Sequence, residues 1–116
     1  MLISLTDLAQ MGNSVLADFR QEVAQLGPSE TADFVRQVER LEAKLEQLYA
    51  VAATAVQREE KLEEVAAIWS QMVAICDQSA QAVSELSQKY HVTDSASYDR
   101  ILDIRNECEE NRALHA

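Results

Sequence analysis

A chain of 116 residues can bury one modest core, and 47% apolar with 26% charged residues is globular composition, which sets aside disorder over most of its length. Twenty acidic against ten basic side chains give a net charge of -10, which repels phosphate backbones and anionic membrane surfaces and disfavours direct nucleic-acid binding. Two Gly and one Pro leave few sites for tight turns, and no segment alternates with period two, so an all-α helical bundle forming a single domain over 1–116 is expected.

Helix 1 is expected over about 4–26. Ser4 is placed to cap it with Asp7 in its first turn, and Leu8, Val15, Leu16, Phe19, Val23 and Leu26 recur at threes and fours. Gly12-Asn13 is a point where it would fray or bend. Gly27-Pro28 stops it, because Gly suits the left-handed residue after a helix and Pro cannot continue one.

A long segment, about 29–91, then organises the chain. Ser29 is the expected cap, and from Ser29 to Tyr90 there is no Gly, Pro or Asn. Alternate steps of four and three from Phe34 through Val38, Leu41, Leu45, Leu48, Ala52 and Ala55 reach Leu62, Ala66, Trp69, Val73, Cys76, Ala80, Val83 and Tyr90, and only Glu59 and Ser87 interrupt this coiled-coil-like heptad. The segment either continues unbroken, and would then be on the order of 90 Å long and need a second copy to cover it, or folds near 57–60 into a hairpin within a four-helix up-down bundle. Strong helix formers over Gln57–Glu64 favour the unbroken form; Thr54 with Gln57 is the sole capping-box match near the middle. Val35, Tyr49, Val51, Val56, Val65, Met72 and Leu86 flank the seam, so more than one helix must pack on it.

His91-Val92-Thr93-Asp94-Ser95 ends the segment, and a last helix over about 95–113 carries Tyr98, Ile101, Leu102, Ile104 and Cys108 on its apolar face. No apolar run approaches the ~20 residues of a membrane span, and the first residues lack a basic stretch followed by an apolar core, so a cytoplasmic chain without membrane contact is expected.

The candidates for chemistry read more simply as structure. Glu59, Glu60, Glu63 and Glu64 form an acidic cluster, yet no Glu-x-x-His pair accompanies them as a bundle metal site requires, so they are candidates for partner binding or register. Glu59 alone takes a seam position, which suits a break or a register device better than catalysis. His91 and His115 lack ligand-spaced neighbours, and His91 falls where an imidazole can bond the last carbonyls of a helix. Cys76 and Cys108 sit on apolar faces as small buried hydrophobes, and Trp69, Met72, Val73 and Cys76 have the spacing of a core stripe. No metal, cofactor or catalytic residue is expected. The expected function is non-catalytic protein–protein interaction by a homodimer acting as adaptor, chaperone or oligomerising scaffold; the alternative is an acidic inhibitor, immunity protein or nucleic-acid mimic that occupies a basic site on its target.

Overall fold

The computed structural model describes residues 3–58 and 61–115, in which four helices and no strands are formed: α1 (Leu5–Ala24), α2 (Thr31–Val56), α3 (Leu62–Lys89) and α4 (Ala96–Leu114). Ser4 and Ser95 cap α1 and α4 as their positions suggest, each side-chain oxygen accepting from the backbone N–H three residues on, at Asp7 (3.0 Å) and Tyr98 (3.1 Å). Ser29 does not cap α2. The helix starts two residues later, because the Thr31 hydroxyl donates to the Tyr90 carbonyl and the Glu30 carboxylate turns back to the Gly27 N–H.

The long segment is broken, contrary to the favoured unbroken helix. Gln57 and Arg58 still bond back to Ala53 and Ala55, but Lys61 is extended (φ -98, ψ 118) and serves as the N-cap of α3. A molecule 50 Å in its longest dimension could not contain the unbroken rod. Among the described residues no side chain caps the end of α2 or the start of α3, and Thr54 is an interior residue of α2 whose hydroxyl donates to the Ala50 carbonyl at 2.9 Å. Each missing cap costs about 1 kcal/mol, whereas each large apolar side chain buried by folding the halves together contributes ~2 kcal/mol, so burial decides.

Successive helices are antiparallel. Met11 of α1 lies level with Leu48 of α2 and Phe19 with Leu41; Tyr49 of α2 meets Trp69 of α3 with ring centroids 5.4 Å apart; Arg105 of α4 meets Asp77 of α3 at 3.0 Å. Both α2 and α3 touch every other helix, while α1 and α4 share no contact among the described residues. The cross-section is therefore a rhombus with α2 and α3 on its short diagonal.

This arrangement sets which faces are buried. In α2 the seam residues Phe34, Val38, Leu41, Leu45, Leu48, Ala52 and Ala55 are all buried, as the heptad requires. In α3 the centre of the face moves back by one residue: Val65, Met72, Ile75 and Ala82 are buried, whereas Ala66, Val73 and Ser87 on the expected seam are only half-buried. The turn before α3 resets helical phase, so its buried face need not continue the seam of α2. Gly12 does not bend α1; it lies buried against Ile75, and a Cβ there would meet Cδ1 at 2.4 Å and Cγ1 at 2.5 Å. Its absent side chain lets α1 approach α3.

Tyr90 joins three helix ends. Its fully buried ring stacks on Phe34 with centroids 4.7 Å apart, and its hydroxyl donates to the carbonyls of Val23 (3.2 Å) and Leu26 (3.1 Å) where α1 finishes. His91 follows in the left-handed region at φ 58, and the backbone N–H groups of His91 and Val92 satisfy the Gln88 and Ser87 carbonyls. The backbone, and not the imidazole, caps α3.

Candidate interaction surface

Of the four carboxylates singled out by sequence, Glu59 and Glu60 lie outside the described residues. Glu63 and Glu64 stand exposed in the first turn of α3, where the helix dipole favours negative charge, and Glu64 lies 3.8 Å from Lys61 in a highly exposed pair. Such a pair contributes little. Among the described residues, no three His, Cys, Asp or Glu side chains gather into a metal-binding group, and no helix is long and apolar enough to cross a membrane.

Cys76 and Cys108 are both buried and unoxidised, facing each other across the α3–α4 interface. The adjoining Cys76 thiol, with burial, pushes the Cys108 thiol well above the ordinary thiol range. A raised acid pKa means that only the unfolded chain loses this proton near pH 9. Stability from this group is therefore full below that pH and falls as pH rises beyond it. Urea titrations at pH 8 and pH 10 are expected to show a larger loss in the wild type than in Cys108→Ala; equal losses would refute the assignment.

The cations of α4 are engaged with carboxylates. Arg100 pairs with Glu46 at 2.8 Å, Arg105 with Asp77 at 3.0 Å, and Arg112 with Glu109 on its own helix. The hydrogen bond to Glu46, reinforced by its charge, raises the pKa of Arg100 and the Arg112 guanidinium lowers that of Glu109. Asp99, Asp103, Glu107 and Glu110 remain exposed at spacings of four, four and three, which is one continuous acidic stripe along the outer face of α4.

A different surface forms between α1 and α2. A second stripe lies one position before the buried residues: Met11, Asp18 and Glu22 on α1, joined by half-buried Val15, and Arg40, Lys44 and Val51 on α2, with Arg58 just past its end. The shallow groove between them opens into three successive cavities. The middle one, of about 380 Å³, is bordered by Met11, Val15, Leu48 and Val51, with Met11 and Val51 39% and 37% exposed. Toward the start of α1 it adjoins one of about 260 Å³ beside Ile3, Val51, Thr54 and Arg58. Toward the other end lies one of about 290 Å³, where Asp18 and Glu22 line the α1 side and Arg40 and Lys44 the α2 side. Arg40 and Lys44 have no carboxylate within ion-pair distance among the described residues, unlike Arg36, Lys61, Arg100, Arg105 and Arg112.

Sequence reasoning placed Val51 beside the seam but passed over Met11, and the signal that finds both is the heptad read one residue earlier on each helix. No protein-family model matches the chain, and no curated protein or solved structure matches it significantly.

Proposed function

We propose that this protein is a non-catalytic interaction module, an adaptor, assembly chaperone or oligomerising scaffold, and that it works through the α1–α2 face. The observation that carries this reading is the groove in which Met11 and Val51 expose apolar surface beside Lys44 and Arg40, which have no ion-pair partner among the described residues. Apolar surface rimmed by charge is the composition by which helical surfaces hold other helices. Met11→Lys/Val51→Lys places two charges on exposed positions and should leave helicity and melting temperature nearly unchanged. Its expected effect is loss of complexes, with itself or with proteins of a native-source extract, that the wild type forms. A variant that keeps every association of the wild type refutes the reading.

The acidic stripe of α4 favours a second reading, in which the protein occupies a basic site on its target as an inhibitor, immunity protein or nucleic-acid mimic. Pairing of Arg100 and Arg105 with neighbouring helices supports it, since their charges offset Glu46 and Asp77 and leave Asp99, Asp103, Glu107 and Glu110 outermost. Asp99→Asn/Asp103→Asn/Glu107→Gln should then weaken target binding at low salt, and the difference from wild type should shrink as salt rises. Binding that is indifferent to both changes rejects this reading.

A further inference from the structure

We infer that the α1–α2 face is a two-fold interface between two copies of this chain. The inference rests on the interaction reading above and names the partner of that same surface. Its basis is that the face is complementary to itself. Asp18 and Glu22 form one rim and Arg40 and Lys44 the opposite rim of a single cavity, so the two charge sets lie at the same height along the bundle. Met11 and Val15 lie at the height of Leu48 and Val51 in the neighbouring cavity.

A rotation of 180° about an axis running along the groove brings α1 of one copy over α2 of the other without shifting either along its length. Asp18 and Glu22 of each copy then oppose Arg40 and Lys44 of its mate, twice per dimer, and the apolar residues meet in the middle. An isologous contact of this kind closes on itself and forms no filament. A foreign partner would need basic and acidic rims with the same separation and level, whereas a second copy has them by construction. The face is two helices wide, about 20 Å, and about 30 Å long from the 20 residues of α1, a projected area of about 600 Å². That is close to the roughly 800 Å² per partner of a specific interface. The rim charges fix orientation and exclude other pairings more than they add affinity.

Charge exchange tests this directly. Two variants of the full chain, Arg40→Glu/Lys44→Glu and Asp18→Lys/Glu22→Lys, change exposed or half-exposed residues outside the ion pairs of the fold, and circular dichroism checks that each keeps its helicity. Light scattering and sedimentation equilibrium, over a series reaching millimolar protein, are expected to give the wild type twice the 13.0 kDa mass of the chain. Each variant alone should dimerise at least about tenfold more weakly, because like charges face each other, and an equimolar mixture should restore a heterodimer. A wild type that stays monomeric overturns the inference, as does a dimer that neither variant weakens or that the mixture fails to restore. If a monomeric wild type still formed Met11- and Val51-dependent complexes with other proteins, the broader reading would stand without this one.

Discussion

Replacing Tyr90 by alanine is expected to lower the unfolding free energy by roughly 4 kcal/mol, with a fall in melting temperature on the order of 15 °C. Tyr90 is the largest of the fully buried side chains, and the loss has two separable parts. The ring fills the space between Phe34 and the end of α1, so its removal leaves a cavity at the junction of three helices. The hydroxyl supplies a donor to the Leu26 carbonyl, past the last turn of α1, and shares the Val23 carbonyl with the Leu26 N–H. Tyr90→Phe keeps the stacked ring and removes only the donor, and should cost about 1 to 2 kcal/mol. Urea denaturation of the two variants separates the contributions. Equal losses would mean that the hydroxyl dominates, and a loss below about 2 kcal/mol for the alanine variant would mean that the junction collapses around the gap.

Gly12→Val is expected to destabilise by about 3 kcal/mol or more, even though glycine within a helix is itself a cost of about 1 kcal/mol. The sign follows from distance: a Cβ at 2.4 Å from one Ile75 carbon and 2.5 Å from another cannot be accommodated by rotating a terminal methyl alone. Valine adds two further carbons to that overlap, so α1 must move away from α3. Trimming the opposing side chain supplies the control. In the Ile75→Ala background the same valine should cost much less, and the double-mutant cycle should show coupling of about 1 kcal/mol or more. Independent effects would place the cost in helix propensity and not in the α1–α3 contact.

The all-α class was legible because apolar residues recur at helical spacing and the only Gly-Pro lies where α1 gives way to α2. Ser4 announced α1, and Thr93-Asp94-Ser95 marked the turn before α4, through local bonds that need no knowledge of the rest of the chain. The break before α3 was not legible in the same way. Lys61 is no recognised cap, Gln57–Glu64 contains good helix formers, and the heptad passes through the turn with its spacing preserved. What decides there is burial of one half-segment on the other, a property of the assembled bundle that local propensity does not encode. The same applies to α3, where Met72 and Ile75 are buried and Val73 only partly so, because the turn before it resets the phase of the face it presents to the bundle. For the candidate surface, Val51 was visible as a seam neighbour, whereas the meeting of Arg40 and Lys44 with Asp18 and Glu22 requires the antiparallel pairing of α1 with α2.

That α1 and α4 never touch has an energetic consequence. Substitutions on the outer halves of these two helices share no partner side chain, so their effects on unfolding should sum with little cross-term. Each flank can also detach while the other stays docked on the α2–α3 hairpin, which gives the native state two distinct partial openings with separate hydrogen-exchange free energies. A molecule seated on the α1–α2 groove would protect the first opening and leave the second at its original rate. One seated on the acidic stripe of α4 would do the reverse. Were both proposed surfaces to bind, the separation of α1 from α4 would let them be filled in either order with little effect on each other's affinity.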